Sequence, residues 1–398
     1  MSENKNKRVL AVEAVTPGHP DKVCDVIAGA LVDAFVSGDS NSRCGIETMM
    51  KDNIVVLGGE IYSKSVVDYD SIVRNVFKEI VYPKNHGLYP ENIKIINLIG
   101  KQSPEIHKAV DVSDEITTAG DQGWMTAGAT NETETFMPLG CYITKHICDF
   151  IMKSTLEIGP DAKTQVVIEY EGNTPVKINS ILVSSMHQCD ISILRGYITN
   201  AIQYNKIGLS DDIYNKFIAD KNFVIDVNPA GVWNTGGSVS DCGMCNRKLA
   251  CDQFGSSFRI SAGGLHGKDA SKVDYSANMM CRYIAKNIVA AGIANVATVD
   301  VSYSIGVAEP TSISIELDKN KELESALVRW VKENVKLEPH NIIKRFGKGV
   351  ERYKNAALNG HYGKTREEME LVENQINYPW EKLDLVDSLK NEFNILSI

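Results

Sequence analysis

The stretch SAGGLHGKDASKVDYS, residues 261–276, sets three glycines, two lysines and two aspartates ahead of a long apolar pattern. At first reading it is a Walker phosphate loop, G-x-x-x-x-G-K-[ST], whose last hydroxyl holds magnesium. Ala262 stands where the first glycine belongs, and Asp269 stands where the Ser or Thr belongs. The Walker reading therefore fails at two of its fixed positions. Beyond it, Val273, Ala277, Met280, Ile284, Ile288 and Ala291 recur at spacings of three and four until Gly292. That spacing predicts an amphipathic helix of about six turns, with Asp269 as its N-cap. Lys268 and Lys272, four apart, then project from one face near the helix N-terminus, where orphan N–H groups favour an anion. Asp274 follows as a potential magnesium ligand; the alternative is an exposed helix start with solvated salt pairs.

Three other segments repeat this chemistry. In PGHPDKVCD (17–25), His19, Asp21 and Lys22 open a second helix, with Pro20 tolerated in its first turn. There His19 would donate to a departing phosphate oxygen and Asp21 would hold Mg²⁺; the alternative is a capping Asp21 and a turn histidine. In GGSVSDCGMCNRKLACDQFG (236–255), a glycine-rich turn carries Asp241 and the adjacent Arg247 and Lys248. PDAKTQV (160–166) adds Asp161 and Lys163 where a strand begins. Cations are concentrated where glycine lets backbone approach a ligand. Four such clusters in a net-acidic chain point to a polyphosphate site.

The bulk of the chain agrees. With 398 residues and a formal net charge of −9, it has length for several domains and lacks the basic balance of a sequence-independent nucleic-acid binder. No apolar run is long enough for a membrane helix, and the first residues lack a signal-peptide core. Nine scattered cysteines then read as free thiols of a reducing, cytosolic protein. C-G-M-C at 242–245 lacks the two further ligands that zinc requires, so buried thiols are expected there.

β-branched runs at 52–62, 163–172, 178–187 and 298–307 read as strands, and Val23, Ile27, Leu31 and Phe35 mark the first helix. Hairpins mixed with helices predict α+β layers. The polar stretch 101–119 reads as a loop over the site, and the Gly-rich 231–243 as a boundary.

In order along the chain stand GHPDK, GGE (58–60), GKQSPEI (100–106), GDQG (120–123), DAK, DCG…RK, GKDxSKVD and GVAEPTSI (306–313). With these motifs the sequence closely resembles the S-adenosylmethionine synthetases (methionine adenosyltransferases), from about residue 8 to the YPWEK of 378–382. The resemblance implies three similar sheet-and-helix domains around a pseudo-threefold axis, at 8–106, 119–238 and 239–385, with interleaved segments and a flexible lid at 102–112. It implies a dimer or tetramer with active sites at the subunit interface, and ATP and L-methionine as substrates. The methionine sulfur attacks C5′ of ATP, and the expelled triphosphate is then hydrolysed to pyrophosphate and phosphate. A thioether needs no general base, so the protein's work is alignment and charge stabilisation.

Carried over by position, His19 contacts the bridging oxygen of the leaving triphosphate, and Lys163, Arg247, Lys248 and Lys268 hold its phosphates. Asp121, Asp161, Trp233, Asp241 and Gly264 complete the ATP site. Glu60, Gln102, Asp241 and Lys272 match methionine positions. Asp21 and Asp274 match two Mg²⁺ ligands, and Glu47 matches the carboxylate of an activating K⁺. The chain departs from the family at Val232-Trp233 (usually Arg-Phe), Thr16-Pro17 (Ser-Glu), Leu265-His266 (Phe-Ser) and Gly264 (Ala). Trp233 still stacks on adenine, Gly264 is read as harmless, and His266 is expected to flank the potassium site. A nucleotide-binding regulatory subunit and a phosphoryl-transfer enzyme are the competing readings. The unaltered His19, Asp21, Lys163, Lys268 and Asp274 weigh against the first, and the broken Walker loop against the second.

Overall fold

A computed structural model describes residues 7–83, 86–102, 111–113, 116–348, 350, 352–371, 375–376 and 378–395. In chain order, its main elements begin with β1 (Lys7–Val15), α1 (Pro20–Gly38), β2 (Arg43–Lys51), β3 (Ile54–Tyr62), α2 (Tyr69–Glu79) and β4 (Lys94–Asn97). They continue with β5 (Gly123–Thr130), α3 (Leu139–Met152), β6 (Ile158–Glu171), β7 (Thr174–His187), α4 (Ile191–Gln203) and β8 (Val224–Val227). The last are β9 (Gly243–Met244), α5 (Leu249–Asp252), α6 (Val273–Ala290), β10 (Val296–Tyr303), β11 (Ser312–Leu317) and α7 (Glu324–Asn334).

The strands form three main sheets, ordered β1-β6-β7-β8, β9-β2-β3-β4 and β11-β10-β5. Each sheet is built on an antiparallel pair and covered by helices, so three units repeat one α+β plan. The units exchange strands. β1 joins β6 from Lys7↔Glu171 to Val15↔Lys163, β9 joins β2 at Met50↔Gly243, and β5 joins β10 at Thr130↔Val296. One apolar cluster fills the second and third units together, and a separate one, around Ile143, Val166 and Ile198, fills the first.

The four sequence-read strands are present, with β6 beginning earlier, at Ile158, and β10 ending at Tyr303. The chain leaves β10 for a turn in which Gly306 adopts φ 75° and its N–H reaches Ala119 O.

α6 corrects two expectations. Its cap residue is Lys272, with no side-chain capping bond. Asp269 instead accepts from Ser271 N at 2.8 Å and from Cys44 N at 2.6 Å, pinning the turn before the helix onto β2. The helix is also buried nearly all round rather than amphipathic, because its polar side chains are paired inside. Arg282 donates to Glu381, Gly128 O, Thr135 O and Phe136 O, and Lys286 donates to Glu381 at 2.6 Å.

Candidate active site

α1 begins at Pro20, whose fixed φ suits a first helical turn, and His19 is its N-cap. The cap is made by the ring: His19 Nδ1 accepts from Asp21 N at 3.2 Å. The proton of a neutral ring therefore sits on Nε2. Burial, and next the positive charge of Lys248, push the His19 pKa down to about 4, so the ring is neutral at pH 7.

Asp21 has no exposed surface. Its Oδ1 accepts from Met244 N at 2.9 Å, Lys248 Nζ lies 2.5 Å from Oδ2, and Arg247 Nε lies 3.6 Å from Oδ1. β9 reaches α1 only because residue 243 is glycine: a Cβ there would lie 2.3 Å from Pro20 O. Lys163 on β6 pairs with Glu13 at 2.7 Å. Two strand residues earlier, the buried Asp161 accepts from Gly237 N at 2.6 Å while its Oδ1 has no partner among the described residues. Burial pushes the Asp161 pKa up to about 7, with the negative charges of Asp241 and Asp21 adding to it. Asp241 is exposed and accepts from Cys242 N. Thr16 clamps this corner, accepting from Ala162 N and donating to Pro160 O. His19, Asp21, Asp161, Lys163, Asp241, Arg247 and Lys248 thus form one electrostatic group.

Lys268 and Asp274 form another, 2.5 Å apart. Lys268 is not on α6. It lies in a turn bridged to Gly45 of β2, so Lys268 and Lys272 do not share a helix face. Gly267, at φ 79°, permits this approach, since a Cβ would meet Ile46 O at 1.9 Å. The two groups contact β2 at Met50 and Gly45, separated by roughly 16 Å at a strand's usual rise. Between them, on the outer face, Gly45 pairs with Glu60 and Glu47 with Gly58, and both glutamates are exposed. Gln102 N donates to Ile61 O, and its buried Oε1 has no partner among the described residues. Asp121 is exposed and accepts from Gln122 N. Trp233 packs against the core and donates from Nε1 to Thr235 O, while Val232 is exposed. Of the expected lid, 103–110 lie outside the described residues.

Three family models match in succession: the N-terminal domain of S-adenosylmethionine synthetase over 7–104, its central domain over 116–233 and its C-terminal domain over 235–382. The chain belongs to the S-adenosylmethionine synthetase family. A solved structure agrees, that of an unusual S-adenosylmethionine synthetase from Campylobacter jejuni. The two are 32% identical, the match covers 96% of this chain and 99% of the other, and the TM-score is 0.84. As methionine adenosyltransferases, S-adenosylmethionine synthetases imply ATP and methionine as substrates and a dependence on metal. Among the described residues, no helix is long and apolar enough to cross a membrane.

Within this synthetase fold, one buried network escaped sequence reading. Lys22 donates to Asp252 and lies 3.1 Å from Asp25. His266 Nε2 lies 3.0 Å from Asp252 and 3.6 Å from Asp25. Burial alone would raise the Asp252 pKa, but Lys22 and His266 outweigh it and hold the carboxyl well below its usual range. The charges on α1 at i and i+3, inside an apolar run, were the available signal; the partner at 252 was not readable. Asp25, Asp252 and His266 are the one group of three potential metal ligands found among the described residues. The Lys22 ammonium already contacts both carboxylates there.

Two departures from the family pattern bear on this network. The His266 ring points into this network, and Glu47 is met by Cys245, whose thiol donates to it at 2.7 Å. Gly264 is not a harmless replacement for alanine. A Cβ would lie 2.5 Å from Cγ of Asn246, whose amide is held by both backbone groups of His266.

Proposed function

We propose that the chain makes S-adenosylmethionine from ATP and L-methionine and then hydrolyses the bound triphosphate to pyrophosphate and phosphate. A methionine sulfur lone pair forms the bond to C5′ while the C5′–O bond breaks, its electron pair leaving with the triphosphate. No proton moves in that step. The cations gathered on Asp21 at the N-terminus of α1 carry this reading. Arg247, Lys248 and Lys163 stabilise charge on the leaving oxygens, and the Nε2–H of neutral His19 donates to the bridging oxygen. Trp233 stacks on adenine, with Asp161, Asp241, Asp121 and the backbone at Gly264 around the nucleoside. Glu60, Gln102, Asp241 and Lys272 bind methionine.

Asp21 and Asp274 supply hard oxygen donors suited to Mg²⁺, and each now contacts a lysine ammonium, a place where cationic charge is favoured. Magnesium there would neutralise triphosphate charge. Glu47, exposed beside the Gly58 backbone, offers the oxygen donor for K⁺.

The separation of Lys268 and Asp274 from the Asp21 group favours a site completed between two subunits. The outer face of the second sheet supports that assembly. Met244, Met49, Val56 and Ile96 form one cross-strand row there, with three of them more than a third exposed. Glu47 and Glu60 lie on the same face.

The test is product analysis with ATP, methionine, Mg²⁺ and K⁺. Equal amounts of adenosylmethionine, pyrophosphate and phosphate are expected. Nucleotide binding without adenosylmethionine would leave a regulatory subunit, and phosphorylated product would mean phosphoryl transfer.

A further inference from the structure

Beside the Lys22–Asp252 pair lies a cavity of about 310 Å³, walled by β1, α3, α5 and the helix Tyr353–Asn359. Val15, Met137, Leu358, Cys141, Cys148 and Cys251 give it apolar and thiol wall, and Lys22, Lys145, Lys153, Asp149 and Asp252 add charge to the lining. Burial pushes the Cys148 thiol up to about 12 and the Cys251 thiol up to about 11, and raises Cys141 as well, so all three are neutral. The carboxylates at the cavity are matched by cations: Asp252 by Lys22, and Asp149, at the more exposed side, by Lys145 at 2.9 Å.

Gln253 breaks this pattern. Its side chain lines the cavity and is 1% exposed, yet neither Oε1 nor Nε2 has a hydrogen-bond partner among the described residues. A buried amide unsatisfied at both ends is costly, and none of the described polar groups in the lining bonds it.

We propose that this cavity binds a small, neutral, planar molecule with an adjacent hydrogen-bond donor and acceptor, of the carboxamide class. The ligand N–H would donate to Gln253 Oε1, and Gln253 Nε2–H would donate to the ligand's acceptor, a reciprocal pair that satisfies both orphan atoms. Neutrality follows from the pairing of Lys22 with Asp252 and of Lys145 with Asp149, which leaves the exposed Lys153 as the one lining charge outside those pairs and no buried counter-charge for an ionic ligand. A flat ring suits the thioether and thiols, which pack well against aromatic edges. The volume lies at the small end of ligand pockets and fits a single-ring molecule. None of the residues of the group around Asp21 lines this cavity.

Nicotinamide is the probe, added at millimolar concentration to the full chain and followed by ligand-observed NMR and calorimetry. A non-hydrolysable ATP analogue keeps the nucleotide site filled. One saturable site per chain is expected, indifferent to the analogue, with the isosteric anion nicotinate bound at least about tenfold more weakly. Gln253→Leu should weaken nicotinamide by about tenfold or more without lowering the melting temperature, because the deleted amide has no partner. Ala14→Leu, which fills the cavity from β1, should abolish binding and is an independent check on the place of the site. Absence of saturable binding, displacement by the analogue, or equal affinity in Gln253→Leu would each overturn the proposal. So would a large drop in that variant's melting temperature, which would mean that Gln253 is satisfied by water alone.

Discussion

Lys248 lays its ammonium 2.5 Å from Oδ2 of Asp21, a carboxylate with no exposed surface at the start of α1. With Arg247 on the other oxygen, the cations proposed to receive the triphosphate are held in position before it arrives. That is preorganisation: no reorientation is required when charge develops.

Lys248→Met should therefore lower kcat by about 10²-fold or more. Because Asp21 would lose its nearest cation, magnesium should also raise the variant's melting temperature more than the parent's. Steady-state kinetics and thermal melts check both, and a rise in KM with kcat unchanged would move Lys248 to ground-state binding.

Gly264→Ala should cost about 1–3 kcal/mol, as overpacking does, because the Asn246 amide it strikes is tied to His266 at both ends. Urea unfolding reads this directly. An unchanged midpoint would mean that Asn246 swings away freely.

His266→Ser should destabilise the chain by about 3 kcal/mol, since the ring bridges two buried carboxylates beside Lys22. Potassium activation should stay as it was, because Glu47 is met by Cys245 and not by His266. Cys245→Ala should change the potassium response. The reverse pattern in the two variants would contradict this assignment.

Asp161 sets a pH dependence. Its native pKa, raised to about 7 chiefly by burial, lies above its ordinary value of 3.8, so between these limits the native state holds the proton more tightly than the unfolded chain. Stability should accordingly fall as pH rises from about 4 to about 7 and level off above. Asp161→Asn should flatten that slope and melt higher than the parent at pH 8. Parallel melting profiles for the two proteins would show that Asp161 titrates normally.

Much of this architecture was legible in the sequence, for physical reasons that differ by element. The period of four from Val23 to Phe35 and the β-branched runs mark α1 and four strands because burial acts there on adjacent residues. The cap of α6 was misread because Asp269 has a stronger use, in bonding β2, that no local pattern reveals. Lys268 looked like a helix residue for the same reason: its turn is shaped by the approach of Gly267 to Ile46. Motif resemblance supplied the candidate residues, but not how one chain divides them into a group at Asp21 and another at Lys268. The Lys22–Asp252–His266 network joins positions far apart in sequence, and only folding brings them together.

The exchange of strands has a consequence for how the chain is made. β1 is synthesised first, yet its partner runs from Lys163 to Glu171, a wait of roughly ten to thirty seconds at ordinary translation rates. β2 is without β9 until Gly243, and β5 is without β10 until Val296. On the ribosome, then, none of the three sheets closes from its own neighbourhood. Each sheet pairs strands from distant parts of the chain, and the nascent chain carries open strand edges through most of its synthesis. A ribosome that stalls near residue 233 would release β5 with an unmatched edge, a substrate for holdases and proteases rather than a shorter working domain.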